Sequence, residues 1–216
     1  MHNKIITKAA DQTLKPLGLF KKGQSRVWID DNVWFLIIVE FQPSGYSKGS
    51  HLNVAIHFLW DDDENLGFHY PKMSRGNSFV EYNGDDRDFF EKMSLLSKKA
   101  EDKVKSYRKF SNVEYAKKYI IKEFGKDSSL QHLYHAAMIC ALAEDKKAKK
   151  FFERFIEASK YNTYEYNDYY IEEVNERILP MVDDRKLLKE YVLNKVKNKR
   201  YNLSSKPSTS FIKVDN

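Results

Sequence analysis

The amino-acid sequence predicts an α+β protein: a small antiparallel sheet of three or four strands with helices packed on it, followed by a C-terminal helical bundle. Changes of hydrophobic period indicate this class. Apolar residues recur at helical spacing near the start, follow strand-like patterns between residues 26 and 60, and return to helical spacing after Gly84. We therefore expect a helix, sheet and long helix over residues 1–110, a helical region over 111–203, and a disordered tail over 204–216.

The first elements are a helix and a β-hairpin. Apolar residues at helical spacing predict a helix over residues 3–15, which Pro16 ends. Strands are predicted at 26–29 and 33–41, because an Asp-Asp-Asn sequence between β-branched and aromatic runs is typical of a hairpin turn. The second of these strands begins with seven apolar residues on both faces, so we expect it to be the central strand, covered on both sides.

A third strand, over residues 51–60, alternates cleanly between two faces. The side chains of one face are apolar and belong to a core: Leu52, Val54, Ile56, Phe58 and Trp60. The opposite face carries His51, Asn53 and His57. Residues 78–82 are expected to add a short edge strand.

The remaining elements are predicted to be helices. The helix over 85–109 has one apolar stripe, formed by Phe89, Met93, Leu96, Ala100, Val104 and Tyr107. Further helices are expected at 112–124, 128–143, 145–160, 164–179 and 183–200. Because the segment 130–143 is apolar nearly all round, it should be the buried helix of the bundle.

Composition limits the class of protein. The chain has 37 basic and 31 acidic side chains, a net charge of +6, and residues 1–84 are neutral, so the whole excess belongs to the second part. Cys140 has no second cysteine with which to form an internal disulfide, which fits a reducing compartment. The longest apolar run, Val33–Val39, is too short to span a bilayer. We expect a cytoplasmic protein without a membrane partner.

Three short segments resemble a bacterial family named domain of unknown function 4304. They are Leu14–Gly23, a leucine-rich helix end followed by an aromatic residue and lysines; Phe41–Ser44, with a Gln and a Ser that close a strand; and Leu52–Ile56, a strand with an internal Asn. The resemblance covers about the first half of the chain. It implies a small antiparallel sheet with helices, and it implies no mechanism because the family has no established activity.

Segments that could carry catalysis or bind metal lack the partners that such chemistry needs. Gly45–Gly49 fits the G-x-S-x-G pattern, but it lies between two predicted antiparallel strands, so we interpret it as a hairpin loop. Asp61–Asn65 fails as a calcium loop and is expected to be a solvated acidic turn. His132 and His135 have no further ligand at helical spacing. We therefore predict no catalytic set, no metal and no cofactor.

A polar face of the sheet is the candidate ligand site. His51, Asn53 and His57 share one side of the third strand, and Glu40, Gln42 and Ser44 stand at the end of the neighbouring strand. If the strand register joins them, they could bind a small polar ligand or perform acid/base chemistry near neutral pH. A pocket with Glu40 beside a histidine would favour this hypothesis. A solvated face, or one covered by the 85–109 helix, is the alternative.

The helical part carries the candidate interaction surface. Its members are lysines, one arginine and tyrosines of the predicted helices: Lys146, Lys147, Lys149, Lys150, Tyr164, Tyr166, Tyr169, Tyr170, Lys195, Lys197, Lys199 and Arg200. The function that the sequence favours is a non-enzymatic intracellular interaction protein with a protein partner, for example of immunity or antitoxin type. The alternatives are a ligand-binding or enzymatic module that uses the polar face, and a basic helical protein associated with nucleic acid.

Overall fold

The computed structural model describes residues 2–62, 65–73, 78–205 and 212. In these residues the chain forms one five-stranded antiparallel sheet and seven α-helices, so the predicted α+β class is confirmed. The chain divides into two compact units. The sheet unit comprises Met1–Leu59, Asp63–Lys109 and Arg200–Asn216, and the helical unit comprises Trp60–Asp62 and Phe110–Lys199. None of the described helices is both long and apolar enough to cross a bilayer.

The five strands follow one another across the sheet in chain order, each antiparallel to the next. They are β1 (Phe20–Lys21), β2 (Val27–Asp31), β3 (Phe35–Pro43), β4 (Gly49–Phe58) and β5 (Val80–Glu81). β3 is the central strand and is buried on both faces from Phe35 to Val39, as its continuous apolar run predicts. β4 is also buried on both faces beyond its first three residues, so its polar side is not a solvated face.

The hairpin turn between β2 and β3 lies later in the chain than predicted. Asp30 and Asp31 belong to β2, and the turn falls at Asn32–Trp34, where Val33 has a φ of 68°. Two long-range ion pairs explain the shift. Arg108 donates to both carboxylate oxygens of Asp30 at 2.7 and 3.0 Å, and Arg200 does the same to Asp31 at 2.6 and 3.0 Å. A neutralised carboxylate can lie in a buried strand.

Two helices cover one face of the sheet. α1 (His2–Leu14) packs against α2 (Asp86–Arg108), and α2 also contacts β3 and β4. The indole of Trp28 donates to Asp11 of α1 at 2.9 Å, and Arg108 of α2 holds Asp30, so both helices lie on the face that carries Trp28 and Asp30. The predicted stripe of α2 is buried throughout and is confirmed.

The helical unit contains α3 (Val113–Phe124), α4 (Leu130–Leu142), α5 (Lys147–Ser159), α6 (Asp168–Glu173) and the first part of α7 (Arg185–Ser204). α4 is buried on almost every side and contacts α3, α5 and α6, as its composition predicts. The helix predicted at 164–179 is broken instead into a 3₁₀ turn, α6, a π-helical turn and a second 3₁₀ turn. Of the predicted disordered tail, residues 206–211 and 213–216 lie outside the described residues.

Candidate functional site

The register of β3 and β4 joins three polar side chains of the candidate ligand site. Glu40 pairs with Asn53, and Gln42 pairs with His51. The side-chain amide of Asn53 donates to Glu40 Oε2 at 2.8 Å and to Gln42 Oε1 at 3.0 Å. Asn53 is only 3% exposed, and its Oδ1 has no hydrogen-bond partner within the described part of the chain. These residues form a polar cluster on the face opposite α1 and α2, because Glu40 lies across from Val27 and not from Trp28.

The histidines of this face do not join the cluster. The ring of His51 lies 4.7 Å from that of Phe79. His57 is fully buried opposite Leu36, with its ring 4.4 Å from that of His69 and its Nδ1 3.3 Å from the carbonyl oxygen of Gly67. Among the described contacts, none joins Glu40 to a histidine. The cluster therefore lacks the carboxylate–imidazole pair on which the acid/base hypothesis depends.

Ser44 lies beyond the end of β3, in the loop that leads to β4. Its hydroxyl accepts from the backbone N–H of Tyr46 at 3.1 Å and from that of Ser47 at 3.4 Å. These bonds close a serine turn that begins just before the G-x-S-x-G segment and overlaps it, in the loop that joins two antiparallel strands. A nucleophile elbow needs a strand-to-helix turn, so the hairpin-loop interpretation is confirmed.

The helical unit contains a buried polar network centred on Glu173 of α6. The Glu173 carboxylate accepts from Tyr134 at 3.1 Å, from Tyr191 at 2.8 Å and from Lys195 Nζ at 2.5 Å. Lys195 also donates to Asp62 at 2.7 Å and to the hydroxyl oxygen of Tyr169 at 2.8 Å. One ammonium group thus satisfies three acceptors, two on α6 and one at Asp62. We call Glu173, Lys195, Asp62 and these three tyrosines the Glu173 network.

Asp61 lies beside this network and is fully buried, so the predicted solvated acidic turn is wrong at this residue. Its carboxylate accepts from Tyr170 at 2.6 Å. Trp60 donates its indole N–H to His135 Nδ1 at 3.2 Å. Because an indole nitrogen can only donate, that imidazole nitrogen must be unprotonated. Asp63 and Glu64 of the acidic segment lie outside the described residues.

Burial sets the proton affinities in the interior of the helical unit. Burial raises the pKa of Tyr134 well above its ordinary value, and the charge of Glu173 raises it further. The pKa values of Tyr169 and Tyr191 are also raised, first by burial and then by the neighbouring carboxylates. These phenols therefore remain hydrogen-bond donors at physiological pH. Burial also raises the pKa of Cys140 to about 12, which makes the thiol a poor nucleophile.

An exposed aromatic segment connects α5 to α6. Tyr161, Tyr164 and Tyr166 are 78, 61 and 70% exposed, and the rings of Tyr164 and Tyr166 lie 5.5 Å apart. The backbone between them is held by Asn162, whose side chain bonds both the N–H and the carbonyl oxygen of Tyr164, at 3.3 and 3.0 Å, and accepts from Asn167 at 2.8 Å. We call residues 161–166 the tyrosine segment. Its rings are exposed although its backbone is fixed.

The other members of the predicted interaction surface divide into exposed and buried groups. The exposed lysines are Lys146, Lys147, Lys149, Lys150 and Lys197, and of these Lys149 binds Asp183 at 2.7 Å. Tyr169 is 39% exposed, with its hydroxyl bonded to Asp62 and Lys195. The buried members are Tyr170, Lys195 and Lys199, whereas Arg200 is half-buried and bonded to Asp31. Residues 195–200 therefore do not present a continuous row of cations.

The paired histidines of α4 serve different partners. His132 Nδ1 lies 2.9 Å from Asp127, and its ring stacks on that of Phe124. His135 is the acceptor of the Trp60 indole. The two imidazoles are held by separate contacts, which favours a packing role for both.

Comparisons of the chain with protein-family models, with curated proteins and with solved structures find no match. The resemblance to domain of unknown function 4304 stays a prediction. Any function must therefore be argued from the residues themselves.

Proposed function

We propose that the protein is a non-enzymatic interaction protein that binds a protein partner through its helical unit. The tyrosine segment carries this proposal, because three large aromatic side chains stand in solvent on a fixed backbone. Tyrosine combines a large apolar surface with a hydrogen-bonding tip, and it is enriched in interfaces and among residues that dominate binding energy. Fixed backbone geometry lowers the entropy lost on association.

The start of α5 supplies the charge for such an interface. Lys146, Lys147 and Lys150 are exposed, and none has a carboxylate partner in the described residues. They lie at the start of α5, a helix of 13 residues and about 20 Å in length that leads to the tyrosine segment. An interface of ordinary size, about 800 Å² on each partner, can reach over this distance. The lysines favour a partner with an acidic surface and accelerate its approach.

The charged side chains that could act in catalysis are bonded to one another, which supports a non-enzymatic role. Glu40 is bonded to Asn53, and Lys195 is bonded to two carboxylates. The nucleic-acid alternative is less favoured because Lys195 and Lys199 are buried and Arg200 is bonded to Asp31. To bind successive phosphates of a nucleic acid, these three residues would all need exposed, unoccupied cationic groups.

Site-directed photo-crosslinking in the native cells tests the proposal. Benzoylphenylalanine at position 166 should give a discrete adduct with a partner protein. The same probe at Tyr46, which is fully exposed in the β3–β4 loop, should not give it. The variant Y164A/Y166A should bind the captured partner at least about tenfold more weakly, since interface tyrosines often contribute more than 1 kcal/mol each. Tyr46→Ala is the matched control. Adducts of equal yield from both positions, or unchanged affinity of the double variant, would count against the proposal.

A further inference from the structure

A concave site of about 630 Å³ lies in the sheet unit between the exposed side of α1 and the turn that joins β1 to β2. The site is an open surface depression and not an enclosed pocket, so a ligand in it stays largely in contact with solvent. Asn3, Gln12 and Gln24 bring side-chain amides to its wall, and Thr7 brings a hydroxyl. We call this site the α1 groove. The residues of its lining are polar side chains and one glycine.

Three lysines from two elements line the α1 groove. Lys4 and Lys8 are four residues apart on α1 and therefore share a face, and Lys21 comes from β1. None of the three has a carboxylate partner among the residues that the structure describes. Lys8 Nζ lies 5.3 Å from the centre of the Phe90 ring, and Lys21 Nζ lies 5.7 Å from that of Trp28, so ring contacts position two of the cations.

The groove carries one negative side chain. Among the described residues that line it, Asp11 is the one with a carboxylate. One of its oxygens accepts from the Trp28 indole at 2.9 Å, and the other pairs with Lys15 at 2.8 Å. Three lysines against one carboxylate leave the lining with an excess of positive charge.

Further positive charges lie near His2, at the start of α1. The pKa of His2 is lowered by its burial and lowered further by neighbouring positive charges, among them Arg26 and Lys48. Positive side chains are therefore locally in excess near this end of α1, although residues 1–84 are neutral overall.

From these observations we propose that the α1 groove binds a small, multiply charged phosphate anion, with Lys4, Lys8 and Lys21 as the charge-neutralising residues. Three lysines along one surface depression suit an oligophosphate, whose charge is spread over several oxygens. The amide side chains add neutral donors. Nucleic acid is less well matched, since its phosphates need cations along a track and the three lysines surround one site.

Calorimetric titration of the full chain with inorganic tripolyphosphate tests this assignment. The variant K4Q/K8Q/K21Q should bind at least about tenfold more weakly, because each exposed charge contact contributes a few tenths to one kcal/mol. The matched control is K98Q/K99Q/K103Q, which removes the same charge from exposed positions of α2. The affinity of this control variant for tripolyphosphate should change by less than about twofold. No binding to the wild-type chain, or equal weakening in both variants, overturns the proposal.

Further ligands separate the sources of the phosphate. ATP should bind like tripolyphosphate and adenosine should not, if the phosphate chain alone is recognised. The backbone amide signal of Gly23 should shift during the titration, since this residue lines the groove. If the triple variant is unstable, the single variant Lys4→Gln can be used instead. It leaves the ring contacts of Lys8 and Lys21 in place and should still weaken binding. A single-stranded oligonucleotide that binds more tightly than tripolyphosphate through the same lysines would refute the small-anion assignment.

Discussion

Replacement of Lys195 by methionine removes the only cation of the Glu173 network. Lys195 Nζ makes three hydrogen bonds of 2.5 to 2.8 Å, and the residue is buried. Methionine has a similar length, so the change removes charge with little loss of volume. It leaves the carboxylate of Glu173 buried beside that of Asp62 without a compensating charge.

The expected loss is large compared with the stability of an ordinary domain. Breaking a buried ion pair from one side costs about 3 to 5 kcal/mol, out of a typical total of about 5 to 15 kcal/mol. With a urea slope of about 2.5 kcal/mol/M, a loss of about 4 kcal/mol lowers the unfolding midpoint by about 1.6 M. Urea unfolding followed by circular dichroism at the helical signal measures this shift.

Two further variants make the test specific. Lys197→Met changes an exposed lysine of the same helix and should alter the free energy of unfolding by less than about 0.5 kcal/mol. The double variant Lys195→Met with Glu173→Gln should recover part of the loss, because the unpaired charge is removed. If Lys195→Met costs less than about 1 kcal/mol, the network does not stabilise the fold. The same conclusion follows if the loss in the double variant equals the sum of the losses measured for Lys195→Met alone and Glu173→Gln alone.

Two other predictions concern the start of α5 and the buried thiol. Asp145 accepts from the backbone N–H of Lys147 at 2.9 Å and pairs with Lys117 at 2.9 Å, so Asp145→Ala should cost about 1 kcal/mol at neutral pH in urea unfolding. Burial raises the pKa of Asp145, but these contacts outweigh it and lower that pKa overall. The stability that Asp145 contributes should therefore be present above its unfolded-state pKa and disappear as the pH falls through its folded-state pKa. A stability difference between wild type and variant that persists in strong acid would contradict this. Cys140, with a pKa raised to about 12, should resist a thiol reagent at pH 8 until the chain unfolds in urea, and rapid labelling of the native chain would refute its burial.

Elements governed by local periodicity could be predicted from the sequence. The stripe of α2 and the apolar α4 follow from side-chain spacing alone, since one buried face or complete burial leaves a signal within a dozen residues. The pairing of Glu40 with Asn53 follows from strand alternation together with the short loop between β3 and β4. These features depend on neighbours that are close in the chain.

Features that depend on distant partners could not be predicted. The two aspartates at the end of β2 resemble turn residues, and only arginines 78 and 169 positions away allow them to lie in a strand. Asp61 resembles a solvated carboxylate because its partner, Tyr170, is 109 residues away. Lys195 belongs to a basic run, although its bonds to Glu173 and Asp62 make it an interior residue. Charge patterns in a sequence do not reveal which charges are compensated in the fold.

The buried network also bears on the proposed interface, because Tyr169 belongs to both environments. Its ring is partly exposed, three residues after the tyrosine segment, while its hydroxyl is bonded to the exposed Asp62 and the buried Lys195. A side chain held by such bonds loses less rotamer freedom on binding than a free one, for which the loss is about 0.5 to 1.5 kcal/mol. Asn162 fixes the backbone at the other end of the segment. If the exposed rings contact a partner, the hydrogen bonds that hold the Tyr164 backbone and the Tyr169 hydroxyl contribute to affinity without contacting that partner.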